Sequence, residues 1–207
     1  MGAGRGPRPV VRVAAVLALL AAPAAAGGGE PPGLTAAQAM DAVMWGKVPI
    51  GGAFSLADHD GVPRTEADYR GKVVLIYFGF TFCPDICPAD LMGIAGALNE
   101  LGDRADQVQG LFVTLDPERD DQHLKDYVQA FHPDLVGLTG EPAVIRRTAN
   151  DYSIYYRRID GGAPDAYTID HSAYTFMYDK EGNYRGFFPP GTTSDLIAKG
   201  LEPLLGE

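Results

Sequence analysis

The chain has 207 residues, with 17 Lys and Arg against 27 Asp and Glu and a formal net charge of −10 at pH 7. That balance argues against nucleic acid and anionic membrane surfaces as partners. The length suffices for one domain with a proper hydrophobic core, and two cysteines are all the chain has.

The N-terminus carries Arg5, Arg8 and Arg12, an apolar stretch from Val13 to Leu20, and Ala24-Ala25-Ala26 ahead of Gly27-Gly28-Gly29. This basic, apolar and small-residue order is that of a secretory signal peptide, expected over residues 1–26. The apolar stretch is ended by Pro23 and falls short of the ~20 residues a spanning helix needs. A cleaved signal is therefore expected, with an uncleaved anchor as the alternative, and no cysteine directly follows to receive a lipid. Export puts the thiols in an oxidising compartment, where an unattended pair becomes a disulfide.

Residues 27–45 read as a flexible lead-in, Gly/Pro-rich at first, with a short helix over Leu34 to Trp45 that carries Met40 and Met44. The domain is expected over 46–207. Ala53 to Leu56 and Val62 to Thr65, joined by Asp58-His59-Asp60-Gly61, predict a β-hairpin with an Asp-Gly turn. Lys72 to Phe78 is a continuous apolar run rich in β-branched and aromatic residues, a central strand buried on both faces. It runs into Phe82-Cys83-Pro84-Asp85-Ile86-Cys87-Pro88, after which Leu91, Ile94, Ala95, Leu98 and Leu101 recur at helical spacing up to Gly102, with Asp85 as a candidate cap.

A second buried strand is expected at Val108 to Leu115, then a loop over Asp116 to Asp120 and an amphipathic helix defined by Leu124, Tyr127, Val128 and Phe131. Strand Leu135 to Leu138, helix Pro142 to Tyr152 and strand Ile154 to Arg157 continue the alternation. A hairpin of Ala173 to Tyr178 and Tyr184 to Phe188 and a helix from Ser194 to Leu205 close the chain. This order predicts an α/β three-layer sandwich. It matches a thioredoxin-like core with an added N-terminal β-hairpin and an inserted segment.

The chemistry lies in the cysteines. At spacing i, i+4 both sulfurs face one side of a first helical turn, where unpaired N–H groups and the helix dipole favour thiolate. The geometry suits a reversible disulfide or a two-sulfur grip on a metal ion. A structural disulfide closing so small a loop would contribute only about 2 kcal/mol. Haem attachment needs Cys-x-x-Cys-His, and a closed zinc site needs four ligands where two cysteines and one histidine give three. Monovalent copper, soft and content with three ligands, fits two thiolates and an imidazole best.

Four histidines compete for the imidazole role. His59 in the hairpin turn, His123 on a polar helix face and His132 at that helix's end read as solvated. His171 ends a Gly/Pro/Asp-containing excursion just before a core strand, and such a loop can come up beside the thiols. Asp116 follows the neighbouring strand and can face the same end of the sheet, or with Arg119 and Asp120 tie down a loop and cap a helix. Asp85 is open between cap and acidic neighbour of the thiols, and Met40 and Met44 between thioether ligands and an amphipathic segment.

Gly71-Lys72, Tyr77 to Pro88, Val113-Thr114-Leu115-Asp116-Pro117-Glu118-Arg119-Asp120, Gly137-Leu138-Thr139-Gly140 and Asp170-His171-Ser172, in this order, resemble the Sco/SenC family of copper-handling proteins in cytochrome c oxidase assembly. The resemblance spans roughly residues 50 to 205. It implies a thioredoxin-like fold that binds copper, as Cu(I) and also as Cu(II), through Cys83, Cys87 and His171. It implies delivery of copper to the CuA centre of cytochrome c oxidase subunit II or, as the alternative, a thiol-disulfide oxidoreductase that reduces the CuA-site cysteines through the redox-active pair Cys83 and Cys87. A peroxidase, suggested by the shared fold, would need one cysteine singled out for peroxide. A copper donor and a thiol reductant are implied, and the sequence names neither. The signal and the family point to a Gram-negative periplasm, with the domain soluble or tethered by an uncleaved N-terminal segment.

Overall fold

The computed structural model describes residues 1–2, 50–162 and 166–206. Residues 50–162 and 166–206 fall within one compact unit, Thr35–Glu207. Beyond the first two residues, the expected signal, the lead-in, Met40 and Met44 lie outside the described residues.

The Asp-Gly turn forms as its residues dictate. Strand β1 (Ser55–Asp58) pairs antiparallel with β2 (Pro63–Thr65), and Gly61 takes a φ of +79°, which only glycine adopts cheaply. The buried Asp58 carboxylate closes the turn by accepting the N–H groups of Asp60 and Val62 and the Arg64 guanidinium.

Strand β3 (Val73–Gly79) is buried along its whole length and pairs parallel with β4 (Val108–Thr114). Between them runs α1 (Ile86–Leu101), which stops at Gly102, a residue with φ of +55°. Where the sequence predicts only a loop, Pro117–Asp120 make a one-turn helix, α2, with Pro117 in its first turn, a position that costs no hydrogen bond. Then come α3 (Leu124–Phe131), β5 (Val136–Thr139) parallel to β4, and α4 (Pro142–Asp151). The closing elements are β8 (Thr175–Tyr178), antiparallel to β3, β9 (Tyr184–Phe188) and α5 (Ser194–Leu205). A register shift at Met177/Tyr178 kinks the β8–β9 pairing.

The resulting sheet has the order β2-β1-β5-β4-β3-β8-β9. Side chains alternate across it: Phe78 turns to Tyr152 at the end of α4, whereas position 79 faces α1. α1 packs against α5 and α3. This is the thioredoxin-like sandwich, with the β1–β2 hairpin added at the β5 edge.

One expectation needs correction. The strand predicted at Ile154 to Arg157 lies instead at Tyr156–Asp160 (β6) and pairs with Tyr167–His171 (β7) in a separate two-stranded sheet. The reason is burial: Ile154 is inside, but none of Tyr156 to Asp160 is fully buried, so the strand has no apolar face to bring to the core. The inserted segment is therefore a hairpin standing off the main sheet.

Burial alone would raise the Asp58 carboxyl, but Val62, Arg64 and Asp60 together hold it below its ordinary 3.8. Its stabilisation is fully present above that unfolded value and is lost as pH falls through the lower folded one. Asp58→Asn should cost about 1.5 kcal/mol at pH 7, at the low end for bonds to a charged group because Arg64 faces solvent. Urea unfolding should show the gap to the parent protein closing as the pH drops below about 3.8; a constant gap would contradict this role.

Candidate metal site

The site forms where β3 ends. After Gly79 the chain turns, with the Cys83 N–H donating to the Phe80 carbonyl at 3.2 Å. A buried carboxylate fixes this turn: Asp120, 0% exposed, accepts the Thr81 N–H at 3.0 Å, the Thr81 hydroxyl at 2.7 Å and the Thr114 hydroxyl. Burial pushes the Asp120 carboxyl up, against the pull of these donors. The cysteine turn is thus tied to the end of β4.

Cys87 lies in the first turn of α1 and is 0% exposed, while Cys83 is half-buried. Both are free thiols. Glycine at 79 makes this burial possible, because a Cβ there would stand 2.9 Å from the Cys87 sulfur and 2.9 Å from the Phe112 ring. The Cys83 sulfur accepts the Cys87 N–H at 3.4 Å. Asp85 occupies the cap position without a capping side-chain bond, which corrects its expected role: Cys83 serves one of the helix's orphan donors instead.

His171 arrives from the inserted hairpin. Sequence reading placed it in a loop, but it is the last residue of β7 and pairs with Tyr156 across the hairpin. Its Nδ1 lies 3.0 Å from the Ser172 carbonyl and its Nε2 3.4 Å from the Cys87 sulfur. The carbonyl can only accept, so Nδ1 carries the proton and Nε2 turns its lone pair to the sulfurs. The Phe80 and Tyr77 rings meet the imidazole edge-on. The Cys83, Cys87 and His171 ligand atoms lie within 4.8 Å of one another. Sulfur and nitrogen ligands bound to one ion at about 2.0–2.3 Å stand roughly 3.5–4 Å apart, so a small inward movement would close the trio on a metal.

The other histidines lie elsewhere, and two of them are not solvated. The His59 side chain is 7% exposed and its Nδ1 accepts the Gly137 N–H, a long-range tie between the first hairpin and β5. His132 Nδ1 accepts the Asp134 N–H in the turn after α3. His123 is exposed and meets the Phe82 ring edge-on.

Asp116 sits at the expected end of the sheet but belongs to a clamp. It accepts the Arg119 Nε and, at 2.8 Å, the Tyr167 hydroxyl. The Arg119 guanidinium stacks 3.5 Å from the Tyr167 ring and 4.8 Å from Phe82, and also donates to the Tyr167 carbonyl. Arg158 covers the other contact on Tyr167 at 3.6 Å. Since Tyr167 opens the strand that His171 closes, this clamp sets where the imidazole sits. Tyr167 carries no signal in the sequence beyond being an aromatic residue inside a polar excursion.

The two sulfurs do not titrate alike. The hydrogen bond from Cys87, opposed by burial and helped by the backbone N–H groups of Asp85 and Cys87, pushes the Cys83 thiol down to about 4. The bond to Cys83 and burial together push Cys87 up. Near neutral pH the pair holds one proton and one negative charge, with the charge on the outer sulfur. Such a pair can close a disulfide, attack one, or give up its last proton to a soft cation.

Comparison with known proteins bears on the same region. The SCO1/SenC family model matches residues 44–206. The mitochondrial SCO1 homolog 1 of Arabidopsis thaliana is 39% identical over 158 residues, 75% of this chain and 47% of the relative. The chain spans about half to three fifths of the length of the first curated relatives it matches. Among solved structures, Bradyrhizobium japonicum ScoI with copper bound superposes with a TM-score of 0.70 at 37% identity, covering 75% of this chain and 99% of that one. Yeast Sco1 with copper bound gives a TM-score of 0.71 at 32% identity, covering 77% and 90%.

Two outcomes follow from this geometry. Alkylation of the folded, metal-free protein by iodoacetamide should modify Cys83, with a rate that inflects near pH 4, and leave Cys87 untouched; an inflection near the ordinary thiol value of 9.0 would rule out the charge assignment. Arg119→Met should loosen the clamp, speeding amide hydrogen exchange in β6 and β7 by about tenfold while leaving β3 and β4 unchanged.

Proposed function

The chain belongs to the SCO1/SenC family, and from that membership we propose that it binds copper through Cys83, Cys87 and His171 and delivers it to the CuA centre of cytochrome c oxidase subunit II. The observation that carries the reading is the convergence of two sulfurs and one imidazole nitrogen within 4.8 Å. Soft sulfur donors favour Cu(I) over harder cations, and three ligands leave a position open. The copper-bound relatives from Bradyrhizobium and yeast, each above 30% identity over most of this chain, support copper as the ion.

The residues divide the work. Cys83, already anionic and half-exposed, offers the first bond. Cys87 yields its proton as the ion settles, and His171, with Nδ1 held by the Ser172 carbonyl, contributes Nε2. Release follows the same order from the outside in: an acceptor thiolate approaches through the open position, Cys83 leaves first, and the buried Cys87 leaves last. A Cys83–Cys87 disulfide removes both sulfur ligands, so binding is gated by redox state.

The second reading, thiol-disulfide exchange, is favoured by the asymmetry of the sulfurs. The Cys83 thiolate would attack an acceptor disulfide, forming a mixed disulfide and releasing one acceptor thiolate. Cys87, losing its proton, would then attack the Cys83 sulfur and release the second, leaving the chain oxidised and the acceptor reduced by two electrons. The N-terminal signal pattern supports work outside the cytoplasm, in a periplasm, by the domain at 46–207. Among the described residues no helix is long and apolar enough to cross a membrane.

Anaerobic titration of the reduced protein with Cu(I) against a competing chelator separates the readings. One tightly held ion per chain is expected, with affinity reduced at least a hundredfold by Cys83→Ser or Cys87→Ser and more than tenfold by His171→Ala. His171→Ala should leave reduction of a CuA-type disulfide largely intact. Copper held no better by the parent than by these variants, with dithiol exchange preserved, would overturn the copper reading in favour of the reductase.

A further inference from the structure

Behind Cys87 lie two polar groups that the copper reading does not use. Tyr77 stands two residues before Gly79 on β3 and so points to the same face of the sheet, toward Cys87; it is fully buried. Asp90 follows Cys87 by three residues, hence on the same side of α1, and is 5% exposed. One carboxylate oxygen of Asp90 accepts the Gly191 N–H at 2.7 Å, fixing the loop that enters α5. Its other oxygen, Oδ2, has no hydrogen-bond partner, and neither has the Tyr77 hydroxyl. The Tyr77 ring edge and the Cys87 sulfur close on the same point above Gly79, 3.0 Å and 2.9 Å from where a Cβ would stand, and the hydroxyl and the Asp90 carboxylate each shift the other's acidity without a hydrogen bond of normal geometry between them.

A buried hydroxyl left unpaired between two acceptors is costly, and it has one proton to give. We infer that the Tyr77 hydroxyl is a movable donor shared between Cys87 and Asp90, turned to the sulfur when the pair is reduced or holds copper and to Asp90 when the pair is a disulfide. The Cys87 sulfur is a poor acceptor in a disulfide and a better one when its own proton is given to the Cys83 thiolate or when it is bound to copper. In the reduced state the bond extends a chain in which Tyr77 donates to the Cys87 sulfur and the Cys87 thiol donates to the Cys83 thiolate. In the oxidised state Asp90 Oδ2 receives the hydroxyl, so the proton is paired in both states. Tyr77 is thereby a positioning residue that biases the redox balance of the pair.

Equilibration of the protein with a glutathione redox buffer tests this without metal. The exchange is balanced: the Cys83–Cys87 disulfide and two glutathione thiols give the dithiol and one glutathione disulfide. Tyr77→Phe, which keeps the ring, should move the equilibrium about threefold to tenfold toward the disulfide, a midpoint lower by about 15–30 mV. Asp90→Asn should move it the opposite way, because the amide oxygen retains Gly191 while its NH₂ turns to Tyr77 and leaves the hydroxyl only the sulfur. The double variant should match Tyr77→Phe alone. An unchanged equilibrium in Tyr77→Phe, or additive shifts of the same sign in both variants, would overturn the inference and reduce both groups to packing.

A second measurement rests on the copper-binding reading. In the Cu(II)-loaded protein the sulfur-to-copper charge-transfer band should move to lower energy in Tyr77→Phe, since loss of the donor raises the sulfur electrons. A band in the parent that does not move counts against the inference. No band in the parent counts against the copper reading alone, and the glutathione equilibrium still decides the role of Tyr77.

Discussion

The Cys87 sulfur can rest against β3 only because position 79 has no side chain. A Cβ there would collide with that sulfur and with the Phe112 ring, and the first turn of α1 would have to back away from the sheet. The rest of the site follows from this contact. With Cys87 pressed inward, the preceding turn carries Cys83 outward, where its sulfur meets the Cys87 N–H. The sulfurs become unequal by position before any titration is considered: one is enclosed by Tyr77, Phe112 and the helix, the other faces the approach to the site. Desolvation and mutual hydrogen bonding then separate their acidities, so one pair supplies both a standing thiolate and a held proton.

The third member of the cluster reaches the sulfurs by a different route. His171 is 84 residues from Cys87 in the chain and belongs to a two-stranded hairpin outside the main sheet. A hairpin of two strands is marginal alone. This one is steadied where it meets the body of the protein, through Tyr167 stacked between Arg119 and Arg158 and bonded to Asp116. Arg119 also touches the ring of Phe82, the neighbour of Cys83. The cysteine turn and the imidazole-bearing hairpin are therefore referenced to one guanidinium, and α2, the short helix that carries it, is in turn held by Asp120.

Much of this was legible in the sequence, for reasons that vary with the element. β3, α1 and α5 were read nearly to the residue because each is long, strongly apolar on the relevant face and punctuated by glycine or a polar cap. The pairing of Cys83 with Cys87 followed from helical spacing. His171 did not, since nothing local to Asp170-His171-Ser172 specifies a distance to residue 87; only the resemblance to a family supplied it. The inserted hairpin was misread because Ile154 and Tyr155 look like the start of a strand, whereas the pairing begins at Tyr156, on a strand that buries no residue fully and leans on its partner, whose Ile169 alone enters the core. His59 was misread for a related reason. A histidine beside an Asp-Gly turn looks solvated until the turn folds against Gly137. Tyr77 and Asp90 gave no signal at all, since a tyrosine in an apolar strand and an aspartate on a helix are ordinary residues until both are found buried with an unpaired oxygen.

The edges of the sheets carry a further consequence. An open row of strand N–H and carbonyl groups is a template on which other chains can pair, and proteins blunt such rows with short strands, prolines, bulges and charge. Here the outermost strand on one side, β2, is three residues long and begins with Pro63, which has no N–H to offer. On the other side the pairing of β8 with β9 is broken by a register shift, and the free-standing β6 carries Arg157 and Arg158. Each device discourages strand-on-strand aggregation. Strand addition is thereby disfavoured at these edges, and the half-buried Cys83 sulfur lies away from them, beyond the end of the strand at Gly79.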